Sequence, residues 1–408
     1  MLNDTRIVTQ AVILVGGKGT RLGALTQELP KPMMPLMAGK CFLDILLRQV
    51  SRFAITDIIL VAGYLGEKIK KKYDGSIVNN CRIRVVIEPQ PLGTGGAIAW
   101  ISEHLDDYFF VLNGDSFFDI SLTTFARLAF NGGAFDLCIA LNEVDNADRY
   151  GNVKVDANTI TAFDEKVQSG GKGLVNAGVY LFNRQIIERF DREVLSLEKE
   201  VIPDLLESSK NFRGYIFSGY FIDIGLPQSL QLARQELPSQ LQRKAIFFDR
   251  DNTLNKDKGY TFDRRDLDWI NGARQAIAKA NEAGYLVVIV SNQSGIGRGL
   301  FSEKDLLEFH QEMQSQLFEI GAHIDALYWC PYHEDAALEH YRLRAHPDRK
   351  PNPGMIIKAI DDWSILHSNS ILLGDKDTDV SAGQAAGINS YLFDPKTDLS
   401  IFLEQVLL

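Results

Sequence analysis

The sequence predicts an α/β protein made of two tandem Rossmann-like domains, each with a mainly parallel sheet. Three observations support this fold class. Short apolar segments alternate with helical segments along both halves of the chain, which is typical of parallel strands joined by crossover helices. The alternation is interrupted in the polar stretch 226–244 and then starts again. Glycine-rich or acidic residues follow several apolar segments, at the sheet edge where such folds bind ligands.

The first half opens with an apolar segment whose length and valine and isoleucine content predict a buried strand. Three further segments of this kind follow, and amphipathic segments separate them. The residues after the strand ends should therefore meet at one edge of a sheet. In chain order, the predicted strands are 11–15, 57–61, 83–87 and 108–112, and the predicted helices are 42–52, 66–72 and 95–105.

The polar helix around Pro238 predicts a domain junction, so we expect one domain over 1–235, a linker over 236–243 and a second domain over 244–408. At roughly 150 residues per domain, a chain of this length has room for both. The second half repeats the alternation. Its predicted strands are 244–248, 285–290, 326–329, 370–373 and 390–393, and its predicted helices are 273–283, 303–321, 353–361 and 380–387.

Composition excludes several classes of protein. The net charge of −10 argues against nucleic-acid binding, which needs a basic surface. Apolar runs stay well below the ~18 residues of a membrane span, and the N-terminus does not resemble a signal peptide. The four cysteines are too scattered for a disulfide framework, so we expect a reducing cytoplasm. The oligomeric state, a homo-oligomer included, is left open. The cysteines are Cys41, Cys81, Cys138 and Cys330.

The glycine-rich stretch after the first strand predicts a phosphate-binding loop of neither familiar kind. Walker A loops need Ser or Thr after Gly-Lys, but Gly19 follows Lys18. The dinucleotide pattern needs a third glycine where this chain has Leu22. Glycines let a backbone approach phosphate closely, and Arg21 and Lys31 add two cations nearby.

Two aspartates and a second glycine-rich turn complete the first candidate site. The turn, residues 88–96, leads into a helix and could approach a flat base or a sugar. Asp115 follows one strand, and Asp223 follows another apolar run. Carboxylates without a histidine or cysteine cluster suit Mg²⁺ that bridges phosphates.

Over residues 9–235 the chain resembles the sugar-1-phosphate nucleotidyltransferases, through GGKGTRL, PKPM, LGTGGA, NGD, NAG and FIDIG in this order. The resemblance implies that an NTP, GTP or another, reacts with a sugar 1-phosphate and releases pyrophosphate. Arg21 would contact the β- and γ-phosphates, and Lys31 would neutralise the α-phosphate. Mg²⁺ would be held by Asp115 and Asp223. The implied nucleotide site is Gly16, Gly17, Gly19, Thr20, Arg21, Gln90, Gly93 and Thr94, and the implied sugar-phosphate site is Asn113, Gly114, Glu165, Lys166 and Asn176.

The second half carries an acidic motif at the end of its first strand, DRDNTL over residues 249–254. Together with Ser291-Asn292 and a GDKDTD stretch, it resembles the haloacid-dehalogenase-like phosphatases. By that resemblance Asp249 attacks phosphorus, and Asp251 first protonates the leaving alkoxide and then activates water. The implied substrate-binding residues are Ser291 and Asn292, with Ser291 on the phosphate oxygens, and Lys350 would offset the negative charge of the site. The implied Mg²⁺ ligands are Asp249, Asp251 and Asp375. Asn252 replaces a usual glycine, and we expect it to tolerate left-handed backbone geometry.

Within that family, DRDNTLN, SNQSGIGRG, CPYH and RKPNPGM resemble the D-glycero-D-manno-heptose 1,7-bisphosphate phosphatases. Histidinol-phosphate phosphatase is their near relative. Arg298 and Arg349 would then grip a second phosphate or the sugar. Relatives often carry structural zinc, and only Cys330 matches their ligand pattern here. The rearranged set Cys330, His333, His346 and Asp348 is the alternative that would still bind zinc.

The two resemblances predict a bifunctional enzyme of GDP-heptose synthesis. The phosphatase would remove the 7-phosphate of a heptose bisphosphate, and the transferase would join GMP to the resulting heptose 1-phosphate. The alternative is a mannose- or glucose-1-phosphate nucleotidyltransferase fused to a phosphatase of histidinol-phosphate or other specificity. A sensing module with one dead site is disfavoured, because both sets of acidic and basic residues are intact. The base, the sugar, the anomer and transfer of the intermediate between sites stay open.

Overall fold

The computed structural model describes residues 7–37, 39–145, 147, 152–164, 171–190, 194–208 and 211–407. They fall into two compact units. The first holds residues 7–51 and 55–238, and the second holds 239–407 together with Arg52–Ala54. The segment predicted as a linker begins inside a helix, α6 (Pro227–Gln240), which contains Pro238. None of the described helices is long and apolar enough to cross a bilayer.

The first unit is an α/β domain, as predicted. Its strands are β1 (Gln10–Leu14), β2 (Pro35–Met37), β3 (Lys40–Cys41), β4 (Asp57–Ala62), β5 (Ile77–Val78), β6 (Cys81–Ile87), β7 (Tyr108–Asn113), β8 (Ser116–Phe118), β9 (Leu137–Val144), β10 (Asn152–Asp156), β11 (Thr159–Asp164), β12 (Gly173–Asn183), β13 (Phe212–Phe217) and β14 (Phe221–Asp223). Besides α6, its helices are α1 (Phe42–Val50), α2 (Gly66–Tyr73), α3 (Gly93–Trp100), α4 (Leu122–Asn131) and α5 (Ile202–Ser208).

The large sheet of this unit has the order β10-β11-β13-β9-β12-β7-β1-β4-β6-β5. The four strands predicted from sequence are its parallel part, with Val12 of β1 between Ile59 of β4 and Val111 of β7. Beyond β7 the sheet becomes mixed, because β12 runs antiparallel to both β7 and β9. The parallel part thus brings the carboxyl ends of β1, β4, β6 and β7 to one edge.

Strands β1, β4 and β7 are largely buried on both faces. Their sequences are continuous apolar runs, as in DIILVA of β4, where the last five residues are buried. Strand β6 instead alternates buried residues with the less buried Arg82 and Arg84. Val12 and Ile59 belong to a core cluster that also contains Phe109 and Phe182, whose rings stack at 5.5 Å. This rigid platform fixes where each strand end, and so each candidate site residue, lies.

The second unit contains a five-stranded parallel sheet of order β17-β16-β15-β18-β19, which confirms the predicted parallel arrangement. The central strand, β15, leads directly to Asp249. The strands are β15 (Ala245–Phe248), β16 (Leu286–Asn292), β17 (Ala326–Cys330), β18 (Ile371–Gly374) and β19 (Asn389–Leu392). The helices are α7 (Ala273–Glu282), α8 (Ser294–Gly297), α9 (Glu303–Phe318), α10 (Gly354–Trp363), α11 (Asp377–Ala385) and α12 (Leu399–Leu407).

Helix α11 begins three residues before the predicted start. Asp377 and Asp379 lie in its first turn, where the helix dipole favours negative charge, and Asp379 Oδ2 accepts a hydrogen bond from Lys376 N at 3.0 Å. The early start places the GDKDTD stretch partly on a helix and fixes Asp379 beside the end of β18.

Candidate active sites

The first unit has a cleft of about 710 Å³ at the edge where β1, β4, β6 and β7 end. Loops after all four strands contribute to it, as the sequence predicted for the carboxyl ends of parallel strands. Such a volume is in the usual range for small-molecule sites. The sequence-predicted residues that line it are Gly16, Gly17, Lys31, Gln90, Gly93, Thr94, Asn113, Gly114 and Asp115.

Other predicted residues lie elsewhere. Gly19, Thr20 and Arg21 are not among the lining residues. Thr20 and Arg21 begin the 3-10 segment Thr20–Thr26 and are exposed, and Gly19 precedes it with φ of 61°. Asn176, also outside the lining, hydrogen-bonds the buried Tyr180. Glu165 and Lys166 lie outside the described residues.

Lys31 lies between the two carboxylates predicted to hold Mg²⁺. Its Nζ forms an ion pair with Asp115 Oδ2. It also lies beside Gly225, where an added Cβ would be 3.2 Å from Lys31 Nζ and 2.6 Å from Asp223 Oδ1. Burial and the Asp115 charge hold the pKa of Asp223 above its usual range, although Lys31 acts against this. Two carboxylates close together supply oxygen ligands, which suit a hard divalent cation.

Glu88 is a cleft residue to which the sequence analysis gave no role. Its carboxylate is inserted between two backbone segments: a Cβ at Gly16 would lie 2.9 Å from Glu88 Oε1, and one at Gly63 would lie 2.1 Å from it. Oε2 accepts a hydrogen bond from Leu92 N at 3.2 Å. Burial raises the pKa of Glu88. Its position directly after β6 is the signal that could have found it.

In the second unit, the end of β15 presents Asp249, which is 5% exposed, to a buried lysine. Lys350 Nζ lies 2.8 Å from Asp249 Oδ1 and 2.6 Å from Asp379 Oδ1. Burial alone would lower the pKa of Lys350, but the two carboxylates outweigh it and raise the pKa. The ammonium therefore stays charged and holds Asp249 in place.

Among the described residues there is one cluster of three or more potential metal ligands. It consists of Asp249, Asp375 and Asp379, whose donor atoms lie within 4.8 Å of one another. Asp375 Oδ1 is buried and has no hydrogen-bond partner. Burial and the Asp249 charge raise the pKa of Asp375 to about 6. An orphaned carboxylate oxygen among further carboxylates fits Mg²⁺. Asp251, a predicted ligand, is not in this cluster.

Asp251 is held by two residues that the sequence analysis left without a role. Arg250, which is 1% exposed, donates to Asp251 Oδ1 from Nε at 2.9 Å and from Nη2 at 2.7 Å. Gln293 Nε2 donates to Asp251 Oδ2 and to Ser291 Oγ, both at 2.8 Å. Burial raises the pKa of Asp251, Arg250 opposes this, and the Asp249 charge adds to it. A raised pKa suits a group that gives up a proton.

Ser291 and Asn292 end β16 as predicted, but their side chains differ in use. Ser291 is 1% exposed, and Gln293 links it to Asp251 by donating a hydrogen bond to each of them. Asn292 binds the main chain of Lys350 twice: Nδ2 donates to Lys350 O and Oδ1 accepts from Lys350 N, both at 3.1 Å. This pairing makes Asn292 a positioning residue for Lys350.

Arg298 and Arg349 both lie near His333, and their charges contribute to lowering its pKa, after burial. Arg349 Nη1 donates to Tyr332 O at 3.0 Å, and Arg298 Nη2 lies 3.6 Å from Asp335 Oδ2. The structure thus brings the two predicted substrate-binding arginines to one loop region. The expected left-handed turn at Asn252 is present, with φ of 60°.

The residues considered for zinc do not fit a zinc site. Cys330, His333, His346 and Asp348 are all described, yet no three of them converge as metal ligands. His333 Nδ1 accepts from Asp335 N at 3.0 Å, and His346 Nδ1 accepts from Asp348 N at 3.1 Å. The Tyr332 ring stacks on His346 with centroids 3.7 Å apart. An aromatic stack thus occupies the place expected for a metal.

Comparison with known proteins assigns both halves. The family described as "Nucleotidyl transferase" matches residues 10–240, and "Polynucleotide kinase 3 phosphatase" matches residues 244–393. A D-glycero-beta-D-manno-heptose-1,7-bisphosphate 7-phosphatase of Rhodopseudomonas palustris is 41% identical over 41% of this chain and 92% of its own length. A D-glycero-alpha-D-manno-heptose 1-phosphate guanylyltransferase of Campylobacter jejuni is 37% identical over 54% of this chain and 96% of its own.

Solved structures agree for the first half. The crystal structure of HddC from Yersinia pseudotuberculosis is 31% identical, with a TM-score of 0.50 over 56% of this chain and all of that chain. A second structure of that protein, complexed with GMP-PN, aligns equally well. The chain therefore belongs to the nucleotidyl transferase family, and it carries a haloacid-dehalogenase-like phosphatase domain in the same polypeptide.

Proposed function

We propose that this protein performs two steps of GDP-heptose synthesis: removal of the 7-phosphate from D-glycero-D-manno-heptose 1,7-bisphosphate, and transfer of GMP from GTP to the heptose 1-phosphate. The observation that carries the proposal is the pairing itself. The relative of the second half is named for a bisphosphate 7-phosphatase, and that of the first half for a heptose 1-phosphate guanylyltransferase. The product of one reaction is the substrate of the other.

The proposal also requires one anomer throughout. The phosphatase relative is named for the β-anomer and the transferase relative for the α-anomer. A phosphatase leaves the configuration at C1 unchanged, because it acts on the 7-phosphate. Sequential action on one substrate pool therefore requires both halves to accept the same anomer, and we assign the α-anomer, since the transferase makes the final product.

For transfer, the proposed domain is 1–235, and catalysis consists of positioning and charge neutralisation. The sugar phosphate oxygen attacks the α-phosphorus of the NTP in line, and pyrophosphate leaves. Lys31 would stabilise charge that develops at the α-phosphate, and Arg21 would contact the β- and γ-phosphates. The glycine loop, Gln90, Gly93 and Thr94 would bind the nucleotide, while Asn113, Gly114, Glu165, Lys166 and Asn176 would bind the sugar phosphate.

The cleft chemistry supports GTP as the NTP. Guanine presents two adjacent donors, N1–H and the N2 amino group, and a carboxylate with two acceptor oxygens can bind both. Glu88 places such a carboxylate in the cleft. The neighbouring structure with GMP-PN belongs to a protein 31% identical to this one.

For hydrolysis, the proposed domain is 244–408, and Asp249 is the nucleophile. Its carboxylate attacks the phosphorus, Asp251 gives its proton to the leaving heptose oxygen, and an aspartyl phosphate forms. Asp251 then takes a proton from water, which attacks the phosphorus and frees inorganic phosphate. Ser291 and Lys350 would bind phosphate oxygens, and Arg298 and Arg349 would hold the rest of the substrate.

Mg²⁺ is the proposed cofactor of both halves, held by Asp115 and Asp223 in the first and by Asp249 and Asp375, with Asp379 close by, in the second. When bound, it would neutralise phosphate charge and align the reacting groups. The four cysteines are free thiols, which supports the proposed location in a reducing cytoplasm.

The test is a one-pot reaction. The purified chain, GTP and Mg²⁺ are mixed with the α- or the β-anomer of the heptose bisphosphate, and phosphate, pyrophosphate and GDP-heptose are measured. We expect all three products from the α-anomer. A second assay offers the four NTPs against heptose, mannose and glucose 1-phosphates. Preference for mannose or glucose 1-phosphate would refute the heptose assignment.

A further inference from the structure

Glu198 lines the nucleotidyltransferase cleft, yet no function considered so far uses it. It lies in a π-helical turn, Leu197–Val201, which continues into α5. The turn is capped by Ser196, whose Oγ accepts from Lys199 N at 3.2 Å. π-helical turns are rare and occur frequently at functional sites.

The glycine-rich first turn of α3 brings this segment to the cleft. Gly93 has φ of 75°, and an added Cβ would lie 2.6 Å from Leu195 O; at Gly95 the same distance would be 3.1 Å. Leu195 O accepts hydrogen bonds from Gly95 N at 2.8 Å and from Gly96 N at 3.1 Å. Gly93 and Gly95 therefore let the backbone of Leu195 approach closely, and Glu198, three residues further on, lines the cleft.

The Glu198 carboxylate is held on both oxygens by neutral donors. Thr94 Oγ1 donates to Oε2 at 3.1 Å, and the Tyr180 hydroxyl donates to Oε1 at 3.3 Å. Thr94 is fixed in turn, because its Oγ1 accepts from Leu197 N at 2.8 Å. Each carboxylate oxygen has two lone pairs, so each retains one acceptor site for a ligand donor.

The network extends from Glu198 to Asn176, which does not itself line the cleft. Tyr180, whose side chain is fully buried, also accepts a hydrogen bond from Asn176 Nδ2 at 2.7 Å. Asn176 is a proposed ligand of the sugar phosphate, so Glu198 lies two hydrogen bonds away from it. A carboxylate repels phosphate but accepts from hydroxyl groups, so its match in this substrate is the sugar ring or side arm.

We propose that Glu198 binds one or two hydroxyl groups of the sugar 1-phosphate and thereby helps to select the sugar. The inference rests on the proposed nucleotidyl transfer, but it does not depend on the sugar being a heptose. Thr94 and Tyr180 orient the Glu198 carboxylate toward these hydroxyl groups by hydrogen bonds to its two oxygens.

The test compares Glu198→Ala and Glu198→Gln with the wild type in full-length protein, with the KM values for sugar 1-phosphate and for GTP measured separately. A hydrogen bond to a charged group corresponds to about a tenfold to hundredfold change, so we expect KM for the sugar 1-phosphate to rise by about that factor in Glu198→Ala. Glu198→Gln keeps the shape and should show a smaller rise. KM for GTP should stay within about twofold.

Glu207→Gln is the matched control, because Glu207 is an exposed glutamate on α5 of the same unit. Its two KM values should equal those of the wild type. A rise in KM for GTP in the Glu198 variants, or an equal rise in both KM values, would overturn the proposal. So would unchanged KM values with a lower kcat. If Glu198→Ala fails to fold, Glu198→Gln decides.

Failure of the proposed function is recognised separately. The wild type is first assayed with heptose, mannose and glucose 1-phosphates, and the variants are then tested with whichever it uses best. If that is mannose 1-phosphate, the heptose assignment fails while the role of Glu198 is still measured. A monodeoxy analogue of the same sugar phosphate adds the last arm: removal of the contacted hydroxyl should weaken binding to the wild type but not to Glu198→Ala.

Discussion

Single carboxylates differ in what surrounds them, and the difference indicates their use. Asp223 and Asp115 share Lys31, and Asp249 and Asp379 share Lys350. Glu88 accepts a hydrogen bond from a main-chain N–H, and Glu198 accepts hydrogen bonds from two hydroxyl groups. The first four suit a divalent cation and phosphates, and the last two suit uncharged donors such as a base edge or hydroxyl groups.

The role proposed for Glu88 predicts a change in base selectivity. Glu88→Gln keeps the size of the side chain but replaces one acceptor oxygen by a donor. We expect kcat/KM for GTP to fall by about tenfold or more, because one guanine donor loses its partner. The kcat/KM values for the other NTPs should change much less. An equal loss for all four NTPs would contradict a contact to the base.

Asp375 predicts how Mg²⁺ binding depends on pH. Its pKa of about 6 is raised, so the protonated form persists to higher pH than in the unfolded chain. Mg²⁺ needs the ionised carboxylate, and one unit below the pKa about one-tenth of the groups are ionised. The apparent Mg²⁺ affinity of the phosphatase half should therefore fall about tenfold between pH 7.5 and pH 5. Titration calorimetry of the wild-type chain with Mg²⁺ at the two pH values measures this, and equal affinities would refute it.

The same shift affects stability in the absence of metal. Because the folded-state pKa lies above the unfolded value, the folded protein binds more protons between pH 4 and about pH 6. The contribution of Asp375 to the free energy of unfolding should accordingly fall as pH rises through that window. Added Mg²⁺ should restore stability above pH 6, where the carboxylate is ionised.

Motifs identified most of the residues proposed to react but not the residues that position them. Asp249 and Lys350 stand in recognisable patterns, and the structure brings them together. Gln293, by contrast, is two residues beyond Ser291 in a stretch whose spacing says nothing of Asp251. Contacts of this kind arise between distant segments of the chain, and one sequence contains no signal for them.

At the level of elements, the glycine-rich first turn of α3 contacts a different partner from the one that its sequence suggests. The sequence predicts that its glycines let a base or a sugar approach the backbone. The backbone of Leu195 instead lies against Gly95. Gly93 contacts Leu195 as well, and it also lines the cleft. A glycine pattern indicates a close approach, but it does not say which partner approaches.

The loop after β17 predicts a zinc-independent domain. Tyr332 stacks on His346, main-chain N–H groups use the Nδ1 atoms of His333 and His346, and no three donor atoms of the candidate set converge. We expect no stoichiometric zinc by elemental analysis, and a zinc-selective chelator should leave thermal stability and phosphatase activity unchanged. Tyr332→Ala should lower stability by about 1–2 kcal/mol through loss of the stack. Zinc bound at one equivalent would refute this reading.

Most elements of the parallel sheets could be predicted, because continuous apolar runs between helices have few other interpretations. The predicted strands 57–61 and 326–329 differ from β4 and β17 by one residue at one end. The antiparallel strands β9 and β12 were not predicted. Their pairing joins Leu181 to Cys138 and Tyr180 to Ile139, across about forty residues, and no local turn signal marks it.

At the level of the whole molecule, the two compact units predict independent catalysis. Asp249→Asn removes the nucleophile, so phosphate release should fall by about a thousandfold or more, while pyrophosphate release from GTP and sugar 1-phosphate stays unchanged. Lys31→Met is the reciprocal variant and should spare phosphate release. Loss of both activities in either variant would refute independent sites.

Both domains lie on one polypeptide, so each molecule contains one candidate site of each kind. Separate enzymes can be produced in unequal amounts, and a cell can adjust their ratio through expression. A fused chain has a fixed one-to-one stoichiometry. The balance between supply and use of the shared intermediate is then set by the rate constants alone. Selection for more or less of one activity through expression also changes the amount of the other.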